Sequence, residues 1–301
     1  MSLLPDDVSR LLRSGRGVVS VAEAESRGIT RDRLARLARS GVLVRLAKGV
    51  YANAAEFAAA DAWTAFAQRS RAFTLACGPA AAAGDWSAAA VHGLPGIGVP
   101  PVKPLALIVV GSRAPSDNLA GRVRVADVPA GHRGYANGCR VTTLSRTVID
   151  VAWTASRAEA LVVADAALSS GTTAAELRSV VEFHTGRPGV RNAAWVAEHA
   201  DGFAESPLET LGRLAFLEHS LPVPVSNAWV EAGGRRYRLD HLLPDRWLAF
   251  EGDGSLKYDN RLDAGRVVAE QREREWRLQI GRASCREECL AVCRSRWSPY
   301  H

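Results

Sequence analysis

Apolar positions recur every three or four residues through most of the first 54 positions, and that spacing predicts three short helices. The first runs Asp6 to Ser14 and is closed by Gly15. Ser20-Val21-Ala22-Glu23 reads as a capping box opening a second helix that ends at Gly28. Thr30 caps a third, Arg31 to Ser40, which Gly41 ends. Two short strands follow, Val42 to Arg45 and Gly49 to Tyr51, joined by Ala47-Lys48. Three helices and a hairpin in about 50 residues form the pattern of a winged helix-turn-helix.

The pattern changes after Ala54. Helical spacing returns over Asp61–Ser70, Ser87–His92, Ser145–Trp153, Ser156–Leu168, Thr173–Phe183 and Asn192–His199. Between these lie the apolar runs Leu105–Val110 and Val123–Val128, read as strands, a stretch Val141–Thr143 that leads into the helix from Ser145, and a Gly/Pro-rich loop over Pro95–Pro104. Residues 55–201 are thus expected to form an α/β linking domain. His92 has no second ligand at metal spacing and reads as a packed or hydrogen-bonded histidine.

From Glu205 onward the order is helix, three strands, helix. Ser206 caps, Pro207 sits in the first turn, and Leu208, Leu211, Leu214 and Ala215 are the expected buried stripe. Val225–Glu231 is a strand, Gly233-Gly234 a tight turn, and Tyr237–Leu243 with Arg246–Glu251 a hairpin. A charged helix over Arg261–Leu278 follows. With Pro244-Asp245 as a two-residue loop, Asp240 lies opposite Ala249 and Glu251 is its diagonal neighbour on the same face. That separation, roughly 7–8 Å, lets two carboxylates share a hydrated metal ion. Gly252 and Gly254 then bring Asp253 and Lys257 towards the same end. Lys257 stands out because the chain has only Lys48, Lys103 and itself as lysines.

Charge separates the two ends. Of a formal net charge of +6, residues 1–54 carry ten Lys and Arg against five Asp and Glu, which leaves the rest of the chain almost neutral. In the third helix Leu34, Leu37 and Ala38 face inward, and Arg33, Arg36 and Arg39 line the outer side, with Arg31 at the start. A basic helix in this position points to double-stranded DNA as partner. No apolar run approaches the roughly 18–20 residues that span a bilayer, and the five cysteines give no disulfide framework, so a cytoplasmic protein is expected.

Gly17 to Ala52, with its helix-turn-helix, its Leu-Ala-Arg-Ser-Gly-Val-Leu close and Lys48-Gly49-Val50-Tyr51, is similar to the N-terminal domain of AbiEi-type antitoxins of type IV toxin–antitoxin systems. The resemblance implies a repressor of its own promoter that counters a nucleotidyltransferase-like toxin. Arg31, Arg33, Arg36, Arg39, Lys48 and Tyr51 would then contact DNA. Ser87–Leu94 and Thr143–Asp150 resemble phrases of the linking domain in actinobacterial relatives.

Ser206-Pro207-Leu208-Glu209, Arg238-Leu239-Asp240, Phe250-Glu251-Gly252-Asp253-Gly254 and Lys257-Tyr258 together resemble the very-short-patch-repair-like branch of the PD-(D/E)XK nuclease superfamily, over Glu205 to Gln279. The resemblance implies Glu209 as helix acid (Glu205 its rival), Asp240 and Glu251 holding Mg²⁺, and Lys257 as the catalytic lysine. Asp253 stands where the superfamily's motif has lysine.

The expected fold is α+β and multidomain: a winged helix-turn-helix over 1–54, an α/β middle over 55–201, and a PD-(D/E)XK-like α-β-β-β-α core over 202–279 lacking its last strand. Residues 280–301 read as a non-native tail, since Ile280–Glu287 resembles translated sequencing-adapter DNA. Three functions fit: an antitoxin-type regulator with a nuclease-like relic, a metal-dependent endonuclease targeted by the winged helix, and a toxin-binding interaction protein.

Overall fold

A computed structural model describes residues 4–108, 115–232, 235–246 and 248–251. The expectations for Asp253, Lys257, the helix over Arg261–Leu278 and the tail 280–301 lie outside the described residues. The chain divides into two compact units, residues 1–200 and residues 201 onward.

The first unit opens with α1 (Asp6–Ser14), β1 (Val18–Ser20), α2 (Val21–Ser26), α3 (Arg31–Arg39), β2 (Leu43–Ala47) and β3 (Val50–Asn53). The three strands form an antiparallel sheet in the order β1-β3-β2. Strand β1 was not expected, because Val18-Val19 is too short to show a period. It ends on Ser20, whose hydroxyl accepts from the Glu23 N–H at 3.1 Å; this is one half of the expected capping box. Gly49, at φ +70°, turns the β2–β3 hairpin in a conformation that a side chain would strain.

Beyond β3 come α4 (Ala54–Ala59), α5 (Ala62–Cys77), β4 (Ala81–Ala83), α6 (Asp85–His92), β5 (Leu105–Ile108), β6 (Ser116–Asn118), β7 (Gly121–Val125), β8 (Arg133–Ala136), β9 (Cys139–Thr142), and the helices α7 (Leu144–Ala152), α8 (Arg157–Ser169), α9 (Ala174–Phe183) and α10 (Val190–His199). The six strands form one mixed sheet, β6-β7-β5-β4-β9-β8, in which β5 pairs with β7 and β4 with β9 in parallel. Val148, Ile149, Val163, Leu177 and Val196 from the last four helices form the main core.

The expected division at residue 54 falls inside a packed unit. Ala72 of α5 closes a cluster with Val18, Val50 and Ala52 on one side of the three-stranded sheet. The Arg71 guanidinium donates to the carbonyls of Gly15 and Arg16, which the chain reversal after α1 leaves without helical partners.

The second unit contains α11 (Pro207–Glu218), β10 (Val225–Ala232), β11 (Arg235–Leu243) and β12 (Leu248–Phe250), the strands antiparallel in that order. The expected apolar stripe of α11 is corrected. Leu208 is 43% exposed and Ala215 is exposed, and the buried face is Glu209, Thr210, Arg213 and Leu214. This face is polar because partners wait for it, as described below. Gly212 lets the helix approach closely, since a Cβ there would lie 2.7 Å from His241 Nε2.

The hairpin turn is also corrected. Pro244–Arg246 form a 3₁₀ turn, and Leu243 pairs with Leu248, Leu242 with Ala249 and His241 with Phe250. The register is therefore two residues away from that of a two-residue loop. An even shift preserves parity, and the register continued by one residue sets Glu251 directly opposite Asp240 rather than on the diagonal.

Candidate nucleic-acid interface and acidic hairpin

Helix α3 is presented by its neighbours. The Thr30 hydroxyl accepts from the Arg33 N–H, and Leu34 is fully buried among Val8, Leu11, Ile29 and Leu43. Its outer arginines do not share one fate. Arg31, Arg36 and Arg39 are exposed, as is Lys48 at the hairpin tip. Arg33 instead turns back to α1 and makes two bonds to Asp7, Nη1 to Oδ2 at 2.5 Å and Nη2 to Oδ1 at 3.0 Å. Partial burial raises the Asp7 pKa, but the Arg33 hydrogen bond and the Val8 N–H outweigh it and hold the carboxyl below its usual range.

Tyr51 is a second correction: it is 6% exposed and packs in the core with Leu34 and Leu43. It lies on β3, the central strand, whose other face is covered by α5. Val50, Tyr51 and Ala52 are consequently all buried, and strand alternation sends none of them to solvent.

In the second unit Glu209 is 8% exposed, and its carboxylate accepts from the Glu205 N–H (2.8 Å), the Ser206 hydroxyl (2.7 Å) and Asn227 Nδ2 (2.6 Å). Asn227, at φ +50°, also bonds the Phe203 carbonyl. Glu205, the rival acid, pairs with Arg238. Arg213 reaches Asp201 at 3.7 Å. The β11–β12 register, continued one residue past His241–Phe250, sets Glu251 opposite Asp240.

Two residues here went unremarked in the sequence. Asn227 engages Glu209, and His241, next to Asp240, is 4% exposed. Burial chiefly holds His241 below the ordinary imidazole range, against the pull of Asp240 and Glu209. Its Nδ1 has no partner among the described residues. Among those residues no three His, Cys, Asp or Glu side chains form a metal-holding group.

The two phrases of the middle region do structural work. His92 Nε2 bonds the Thr142 carbonyl at 2.8 Å. The Ser87 hydroxyl accepts from the Leu105 N–H at 2.7 Å. Arg146, 1% exposed, donates to Asp150 Oδ1 at 2.8 Å, to the Asp127 carbonyl and to His132 Nδ1.

Residues 6–54 match the family model described as transcriptional regulator, AbiEi antitoxin. This stretch holds α1 to β3 and every exposed cation of the candidate interface. The chain is also 36% identical over 117 residues to two proteins of Mycobacterium tuberculosis, "Uncharacterized protein Rv2248" of strain H37Rv and "Uncharacterized protein MT2308" of strain CDC 1551. Those alignments cover 38% of this chain and 43% of each relative, so the match spans less than half the relatives' length. A crystal structure of the RV2827C protein from Mycobacterium tuberculosis aligns with 78% of this chain and 91% of its own, at a TM-score of 0.34 and 16% identity. No helix among the described residues is long and apolar enough to cross a membrane.

Proposed function

We propose that this protein is a DNA-binding transcriptional regulator of the AbiEi antitoxin kind. Residues 6–54 act as a winged helix-turn-helix, with α3 as recognition helix and the β2–β3 hairpin as wing. The observation that carries this reading is the exposure of Arg31, Arg36, Arg39 and Lys48 within the stretch that matches the regulator family. Arginine in the first turn of such a helix reaches base edges, while later arginines and the wing neutralise phosphates. Its partners are double-stranded DNA and, on the antitoxin side, a nucleotidyltransferase-like toxin. The test is a mobility shift with DNA from upstream of its own gene. Arg36→Ala/Arg39→Ala should bind weakly, and binding equal to wild type would remove α3 from the interface.

A second reading, a metal-dependent endonuclease, is favoured by Asp240 standing opposite Glu251. Directly opposed strand residues have Cβ atoms about 4.5–5.5 Å apart, a spacing that suits two carboxylates on one hard cation. Mg²⁺ held there would polarise a phosphate and activate water. Glu209 is committed to three hydrogen bonds and would have to exchange one to join them. Asp240→Asn and Glu251→Gln in a nicking assay with Mg²⁺ or Mn²⁺, beside a mobility shift, test this reading. Cleavage should vanish while duplex binding persists, and nicking at the wild-type rate would refute it.

A further inference from the structure

One face of the β10–β11 ladder pairs Trp229 with Arg238 and Glu231 with Arg236. Both guanidiniums lie over the same indole, Arg236 at 4.9 Å and Arg238 at 5.9 Å from its centroid. Trp229 nevertheless remains 52% exposed. A large aromatic ring left half in water forgoes burial that the core offers elsewhere. Glu231, 3.7 Å from Arg236, and Glu205, paired with Arg238, steady the two cations from the side. Each guanidinium has five N–H donors in a fork, so one ion pair leaves donors free. The Arg236 and Arg238 side chains keep 65% and 37% of their exposure.

We propose that Trp229, Arg236 and Arg238 form a second nucleic-acid contact, on the second unit, that takes unpaired rather than duplex nucleic acid. An exposed ring can stack only on a base that has left its own stack, whereas the flanking arginines suit phosphates on the same strand. Two residues along a β-strand advance about 6.8 Å, so the cations form a short track rather than a point. A protein partner fits less well, because the face is charged around one ring and offers little continuous apolar area. The inference goes beyond the regulator reading, since it requires neither α3 nor the acids at Asp240 and Glu251.

The experiment measures binding of the full chain to single-stranded oligothymidylate and to a blunt duplex by fluorescence anisotropy across a salt series. Trp229→Ala should bind oligothymidylate about tenfold more weakly, and Trp229→Phe should recover most of that loss. Arg236→Ala/Arg238→Ala should flatten the single-strand salt dependence by about 1.4 in slope, from about 0.7 per phosphate contact. In an Arg36→Ala/Arg39→Ala background, Trp229→Ala should weaken oligothymidylate binding by the same factor as in wild type, which separates this site from α3. Thermal midpoints confirm that each variant is folded. Wild-type affinity and slope in folded Trp229→Ala and Arg236→Ala/Arg238→Ala, or no oligothymidylate binding by the wild-type chain, would overturn the proposal.

Discussion

Arg33 and Asp7 form a two-point ion pair that fastens α3 to α1. Sequence spacing places Arg33 in line with Arg36 and Arg39, yet its guanidinium is spent on orienting the helix. The pair is more than a third exposed, so its worth is screened to at most about 1 kcal/mol. The Asp7 pKa is lowered in the folded state, so its contribution is present above the ordinary carboxylate range and lost as pH falls through the folded value. Asp7→Asn should therefore lower the thermal midpoint slightly at pH 7, and the gap should close in acid. A gap that stays constant down to acid would contradict this assignment.

A larger effect is expected at Arg146 and Asp150. The two are 1% and 0% exposed, and Asp150 Oδ2 has no hydrogen-bond partner among the described residues. Removing one member leaves the other charge buried and uncompensated. Asp150→Ala should cost about 3–5 kcal/mol in chemical denaturation. A loss below 1 kcal/mol would mean that the Asp127 carbonyl and His132 suffice to hold Arg146.

Asp85 should respond to pH in the opposite sense to Asp7. It opens α6 at φ +53°, and burial, followed by the nearby Asp150, raises its pKa to about 6, against the pull of Arg124 and Arg122. A raised folded pKa gives a contribution fully present below the unfolded value near 4 and lost as pH rises through about 6. Asp85→Asn keeps an acceptor for the Trp86 N–H and tolerates the left-handed backbone. It should raise stability at pH 8 by no more than about 3 kcal/mol, at about 1.4 kcal/mol per pKa unit, and change little at pH 4. Equal effects at both pH values would contradict this.

The first 54 residues were legible because local signals agree there: caps at Ser20 and Thr30, glycine stops, and a helical apolar period over Leu34, Leu37 and Ala38. Tyr51 was misread because β3 is the central strand and is covered on both faces. Its ring packs with Leu34 of α3 and Leu43 of β2, and Ala72 of α5, some twenty residues later, covers Val50 and Ala52 on the opposite face. In α11 the buried face was misassigned because Glu209 finds Asn227, eighteen residues on, beside its local partners Glu205 and Ser206, and Arg213 lies 3.7 Å from Asp201. The hairpin turn was misread by two residues, because Pro244–Arg246 form a 3₁₀ turn that no local pattern announces, and a two-residue change leaves parity intact.

Tyr51 offers a direct check on that correction. Tyr51→Phe keeps the buried ring and should leave DNA affinity within twofold of wild type, about 0.4 kcal/mol. A tenfold loss measured by mobility shift would return the phenol to the interface.

The central claim is that α3 meets DNA through Arg36 and Arg39 while Arg33 serves the fold. The salt dependence of duplex affinity tests it most directly, measured by anisotropy for wild type, Arg33→Ala and Arg36→Ala/Arg39→Ala. Each lost phosphate contact flattens the slope of log affinity against log salt by about 0.9. The double variant should lose about 1.8 of slope, and Arg33→Ala should keep the wild-type slope. A double variant with the wild-type slope, or Arg33→Ala losing as much as the double variant, would contradict the account.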